Sequence, residues 1–144
     1  MGQRVEDTTI IAADRDTVWT VITDLDTYPE WASGVIETEI TVANDDESPH
    51  RGRFRIDAKV AEIGYLIEYS YDDYDIRWTL IEGDTISQLD GLYELSENGE
   101  GTHVRYSLEV DLDIPVPGFL KKQAARHILE QGLSSLKRRS EEFG

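Results

Sequence analysis

GFLKKQAARHILEQGLSSLKRRSEEF, residues 118–143, is the stretch from which the fold of this chain is read. At helical spacing Leu120, Ala124, Ile128, Leu133 and Leu136 fall on one stripe, with Ala125, Leu129 and Gly132 beside it. Lys121, Lys122, Arg126, Glu130, Lys137, Arg138 and Glu141 fall mostly on the opposite side, the pattern of a long amphipathic helix. Pro115, Pro117 and Gly118 stop the strand before it, and Gly144 closes the chain. At about 1.5 Å per residue such a helix spans roughly 39 Å. Nearly everything before it reads as strand. A sheet partnered by one long helix has to curl around that helix, so a ligand would sit between the two.

Working back from the helix, the apolar period falls to two. Val104, Tyr106, Leu108, Val110 and Leu112 alternate with His103, Arg105, Ser107, Glu109 and Asp111, behind the turn Asn98-Gly99-Glu100-Gly101. Leu89, Gly91, Tyr93 and Leu95 precede that turn. Ile76, Trp78 and Leu80 lie between turns at Asp72-Asp73 and Gly83-Asp84. Tyr65, Ile67, Tyr69 and Tyr71 form the strand before them. Phe54, Ile56, Ala58 and Val60 oppose Arg53, Arg55, Asp57 and Lys59, a strand with one wet face. Across the acidic loop from Asn44 to Pro49, Ile36, Thr38, Ile40 and Val42 oppose Glu37, Glu39 and Thr41.

Two short helices come first. In one, capped by Asp14 or Asp16, Val18, Val21, Ile22 and Leu25 repeat at helical spacing. The other, around Asp26 to Trp31, is restarted by Pro29 and ended by Gly34. A strand from Val5 to Ala12 opens the chain. Short connections between successive strands make an antiparallel meander. The expected fold is α+β: a curved, antiparallel, seven-stranded sheet wrapped around a long C-terminal helix, with two short helices after strand 1. Residues 1–144 are expected to form a single domain.

Composition narrows the functions. The net charge is −16, from 30 acidic against 14 basic residues, which should repel nucleic acid and anionic membranes. Residues 118–144 run the other way, with six Lys or Arg against three Glu. Lys137, Arg138 and Arg139 there suit the C-terminal end of a helix dipole. Without cysteine there is no disulfide, thiolate nucleophile or cysteine-ligated metal. No apolar run approaches membrane-spanning length, and MGQRVEDTT lacks the apolar core of a signal peptide. The expectation is a cytoplasmic protein, monomeric or weakly dimeric, that does not insert stably in membranes and binds no nucleic acid.

Three stretches carry a resemblance: Asp24-Leu25-Asp26-Thr27-Tyr28-Pro29-Glu30-Trp31, Trp78-Thr79-Leu80 and Pro115-Val116-Pro117-Gly118-Phe119-Leu120. With the order of elements, they resemble the polyketide cyclase/dehydrase and lipid-transport family of the START-like, helix-grip (SRPBCC) superfamily. The resemblance covers nearly the whole chain. It implies a deep, mostly apolar cavity between sheet and C-terminal helix, its mouth near the second short helix and the strand-connecting loops. The superfamily includes lipid carriers, coenzyme Q-binding proteins, plant pathogenesis-related proteins and aromatic polyketide cyclases.

If one face of each strand looks inward, it offers Phe54, Ile56, Tyr65, Ile67, Tyr69, Trp78, Leu80, Tyr93, Tyr106 and Leu108. These residues alone serve a solid core as well as a cavity; the resemblance favours the cavity. The candidate ligand-binding residues are Tyr28, Trp31, Phe54, Ile56, Tyr69, Trp78, Tyr93, Tyr106, Phe119, Leu120, Ala124 and Ile128. Tyr28, Trp31 and Phe119 are expected to border the opening, with Gly118 letting the start of the helix shift. Trp31 fits equally well as an anchor of the second helix.

No catalytic residue, metal or cofactor is expected. His50, His103 and His127 lack partners at the spacing of a triad or metal site and read as surface histidines. The pairs Asp45-Asp46 and Asp72-Asp73 read as turns, and no glycine-rich loop opens a helix. The family's cyclases are thought to work through an Arg and a Tyr in the cavity. Here Arg53, Arg55, Arg77 and Arg105 alternate with apolar residues and so point outward. The expected function is binding or transport of a hydrophobic small molecule, such as a lipid, quinone or polyketide-like compound. The alternatives are an aromatic polyketide cyclase/dehydratase and a protein-interaction module.

Overall fold

A computed structural model describes residues 2–143; Gly144 lies outside them. The elements run β1 (Gln3–Ile11), α1 (Arg15–Thr23), a 3-10 turn (Leu25–Thr27), α2 (Tyr28–Trp31), β2 (Val35–Ala43), β3 (Pro49–Asp57), β4 (Glu62–Asp72), β5 (Asp75–Gly83), β6 (Ile86–Asn98), β7 (Gly101–Leu112) and α3 (Gly118–Phe143). All seven strands form one curved antiparallel sheet in the order β1-β7-β6-β5-β4-β3-β2. Strands β2 to β7 are a meander of hairpins. β1 crosses to the far edge and pairs with β7, so β1 and β2 are the two free edges.

Local chemistry sets the helix ends. Asp14 caps α1, its carboxylate accepting from the Thr17 N–H at 2.8 Å. Leu25 lies in the 3-10 turn rather than in α1, and α2 is a single turn with Pro29 near its start.

The long helix lies chiefly across β1 and β7, at one side of the curved sheet. Ala124, Ala125, Leu129, Leu133 and Leu136 are buried there with Ile11, Leu108 and Leu112 of the sheet. Burying each large aliphatic side chain contributes about 1.5–3 kcal/mol. Polar ties fix the helix lengthwise. Ser135 is buried and accepts from the Ser33 N–H at 3.0 Å, joining α3 to the α2–β2 loop. Glu141 accepts from the Ala12 N–H at 2.9 Å, and Lys137 donates to the Ile10 carbonyl at 2.6 Å. Lys137 and Arg138 are thus not merely dipole partners: Arg138 donates to the Trp31 carbonyl at 3.3 Å.

The strict alternation read for β2 fails. Ile36 and Val42, expected to face inward, are 41% and 44% exposed. Register shifts between Val35 and Glu37 and between Ile40 and Val42 break the pattern at its ends, so that Val35 packs inward in place of Ile36, while Ile40 packs inward as expected. Val60 is exposed as well, because β3 ends at Asp57 and the chain turns before reaching it.

Candidate functional site

The sheet's inner face carries a continuous aromatic surface built by strand register. Trp78 of β5 stands opposite Gly91 of β6, and its indole occupies the space a side chain there would need. A Cβ on Gly91 would lie 1.9 Å from Trp78 Cε2. From that position the Trp78 ring contacts Tyr93 and Tyr106, with centroids at 5.4 and 5.8 Å, and Tyr69 at 6.2 Å. Tyr93 and Tyr106 are register partners on β6 and β7 and stack at 4.3 Å. Gly132 of α3 sits over this pair, where a Cβ would come 3.0 Å from Tyr106 Cε2. With glycine there, helix and ring approach closely; a larger residue would require the Tyr106 ring to give way by a few tenths of an ångström.

A second aromatic run reaches the short helix. Trp31 contacts Tyr28 at 4.7 Å, Tyr28 meets Phe54 edge-on at 5.7 Å, and Phe54 stacks on Tyr65 at 5.4 Å. The Tyr28 hydroxyl donates to the Ile22 carbonyl, and Trp31 Nε1 donates to Thr27 Oγ1 at 3.0 Å.

Between these walls and α3 lies a cavity with about 970 Å³ free of protein atoms, counted out to its open end. Side chains crowd the space into a narrow slot rather than a wide chamber. Tyr28, Trp31, Phe54, Ile56, Tyr69, Trp78, Tyr93, Tyr106 and Ile128 line it. The other three candidates lie elsewhere. Phe119 is 65% exposed on the first turn of α3, and Leu120 follows it outside the lining. Ala124 is only 2% exposed but is packed in the helix–sheet core rather than bordering the cavity. The cause is the position of α3 over β1 and β7: the middle of its apolar stripe is used in packing, and one flank alone reaches the slot.

That flank brings residues the sequence reading missed. His127, Gln131 and Gly132 line the cavity beside Ile128. His127 is therefore not a surface histidine. Its partner one turn on, Gln131, was the available signal: two polar residues at i and i+4 beside an apolar stripe. The exposed residues Ser33, Gly34 and Asp57 also line it.

Electrostatically the slot is neutral. Burial first, and neighbouring phenols second, push the hydroxyls of Tyr28, Tyr69 and Tyr93 well above their ordinary value of 10. Burial raises Tyr65 and Tyr106 too. All five remain protonated at physiological pH, able to donate a hydrogen bond but not to ionise. Arg53, Arg55, Arg77 and Arg105 are exposed on the outer face, where Arg55 pairs with Glu62 at 3.4 Å and Arg105 with Glu6 at 2.8 Å. No Lys or Arg lines the cavity among the described residues.

Residues 2–141 match the family model described as polyketide cyclase/dehydrase and lipid transport. The chain belongs to that family. Within its START-like fold, a START superfamily protein from Mycobacterium smegmatis superposes with a TM-score of 0.88 at 23% identity, covering 98% of this chain and 99% of that one. The Zhui aromatase/cyclase from Streptomyces sp. R1128 gives 0.75 at 16% identity, over 99% and 95% of the two chains. A STAR-related lipid transfer protein from Xanthomonas axonopodis gives 0.72 at 17%, over 95% and 85%. No curated protein matches the sequence. At these identities the likeness is one of fold. No helix among the described residues is long and apolar enough to cross a membrane.

Proposed function

We propose that this family member binds and carries a flat, apolar small molecule, a lipid, quinone or polyketide-like compound, in the slot between sheet and α3. The observation that carries this reading is the slot itself, narrow and walled by Trp78, Tyr93, Tyr106, Tyr69 and Phe54. Aromatic walls give a planar ligand large contact area at little entropic cost, and neutral phenol hydroxyls offer a few orienting hydrogen bonds. Binding is favoured over cyclisation by the same wall. A cyclase must polarise ketones and move protons. Phenols held far above their ordinary pKa, with no arginine beside them, are poor at both.

The test uses Ile128, which lines the slot from the helix. Ile128→Trp places an indole in the ligand's volume. The variant is expected to fold and to lose at least tenfold in affinity for the neutral dye Nile red. Native mass spectrometry of the unmodified protein is expected to show a co-purifying apolar compound. Failure of the unmodified protein to bind Nile red, or normal binding by Ile128→Trp, would overturn the reading.

A further inference from the structure

The slot is not uniform from end to end. Its walls are aromatic where Trp78, Tyr93 and Tyr106 meet, but its lining also includes the polar residues His127, Gln131, Ser33 and Asp57. On the helix side stand His127 and Gln131, one turn apart on the half-buried flank of α3. Neither side chain makes a hydrogen bond or ion pair with another described residue, although each carries both a donor and an acceptor. At the open edge of the same lining are Ser33, Gly34 and Asp57, all exposed. That side is held in place: the Asp57 N–H donates to the Gly34 carbonyl at 2.7 Å, and the Ser33 N–H donates to Ser135 Oγ at 3.0 Å. Ser135 is one helical turn beyond Gln131, so the loop and the polar flank of α3 belong to one rigid edge.

A purely apolar ligand would leave the imidazole and the amide beside it partly desolvated and without partners, which costs free energy. A ligand with a hydroxyl or carbonyl at one end would satisfy them. The group that fits is uncharged, because no Lys or Arg among the described residues lines the cavity to meet an anion. We propose that His127 and Gln131 read the oxygen-bearing end of a flat ring ligand whose apolar body lies among Trp78, Tyr93 and Tyr106. This rests on the binding function proposed above and adds an orientation, a specificity-determining pair and a ligand class: ring compounds with an uncharged oxygen group at the outer end.

The test compares 2-hydroxyanthraquinone with 2-methylanthraquinone, two rings of similar volume that differ in one hydroxyl, by isothermal titration calorimetry. The unmodified protein is expected to prefer the hydroxyl compound by about tenfold, the effect of one well-made hydrogen bond. In His127→Leu/Gln131→Leu the preference should fall to about one, with the methyl compound bound at least as tightly as by the unmodified protein, since no polar group is then desolvated. Anthraquinone-2-carboxylate, whose charge finds no Lys or Arg among the described lining residues, should bind more weakly than the hydroxyl compound. Gln131→Leu alone, expected to lose part of the preference, serves should the double variant melt early. A preference that survives these variants would mean that the deep tyrosines read the hydroxyl, and would overturn the proposal. Equal binding of both compounds by the unmodified protein, or tightest binding of the carboxylate, would overturn it too, while leaving the cavity reading intact. Binding of neither, together with failure to bind Nile red, would instead defeat the underlying function.

Discussion

Gly91→Ala places a single methyl group where the structure leaves no room for one. The new Cβ would stand 1.9 Å from Trp78 Cε2, 2.1 Å from Cζ2 and 2.4 Å from Nε1. Ordinary carbon contacts begin near 3.5 Å, so the indole must retreat by about 1.5 Å. Its route leads away from the sheet, toward Tyr93 and Tyr106 and into the slot. Overpacking of this kind costs about 1–3 kcal/mol, and a displacement this large belongs in the upper half of that range. Against it stands the backbone gain of replacing a strand glycine by alanine, about 0.5–1 kcal/mol. The net expectation is a loss of about 1–2 kcal/mol. With 144 residues the unfolding entropy is about 0.3 kcal/mol/K. The melting temperature should therefore fall by about 3–7 °C. Near-ultraviolet circular dichroism should change as the indole leaves its place, and Nile red affinity should fall with it. A melting temperature and near-ultraviolet spectrum both unchanged would refute the placement of Trp78 over Gly91, and with it the register of β5 on β6.

Gly132→Ala should behave differently from Gly91→Ala. Its Cβ would approach Tyr106 Cε2 to 3.0 Å, but that ring borders free space and can yield a few tenths of an ångström. The helix gains up to about 1 kcal/mol from losing an interior glycine, so the melt should rise slightly or hold; a fall of several degrees would show the ring to be clamped. Leu136→Ala, at a fully buried site of α3, should cost about 2–5 kcal/mol by urea unfolding, whereas Phe119→Ala on the exposed first turn should stay within about 0.5 kcal/mol. Glu141 is held below its ordinary value of 4.5, first by the hydrogen bond from the Ala12 N–H and then by Lys137. Because its folded pKa is the lower one, its stabilising effect is full above the unfolded value and fades as pH drops below about 4.5. Unfolding series from pH 6 to pH 3 should show a shallower acid loss in Glu141→Gln than in the unmodified protein. Equal slopes would remove Glu141 from the account.

The order of elements was legible because each strand with a wet face and a dry face betrays its period, as in Phe54 to Ala58 against Arg53 to Asp57. The helix was legible from end to end, since Pro117 and Gly118 mark its start. β2 was misread where bulges break the alternation: Ile36 and Val42 carry a strand's pattern but not its geometry. Which candidates on the strands would face the cavity was legible, because register decides what faces inward. On α3 it was not, because Ala124 and Leu120 share a stripe with Ile128 and only Ile128 lines the cavity. A periodic stripe shows which side of a helix is dry, but not whether dryness comes from a neighbouring strand or an empty slot. That depends on the lateral position of α3 over β1 and β7, a tertiary fact with no local signature. His127 and Gln131 were passed over for the same reason.

The pairing of β1 with β7 imposes a schedule on the living chain. Gln3 finds its partner in Val110 and Ile11 finds Thr102, while every other strand pairs with one next to it in sequence. During synthesis β2 to β6 can zip as successive hairpins, but β1 must wait for about 100 residues to follow it. At roughly 5–20 residues per second that is a delay of about 5–20 s. Throughout it the first strand has nothing to pair with, and closing so long a loop is entropically slow. Strand β7, which supplies Tyr106, and helix α3, which supplies Ile128, follow all the other strands in the sequence. The slot therefore has neither its far wall nor its roof until both have been made, so nothing held in it can template the hairpins that precede them.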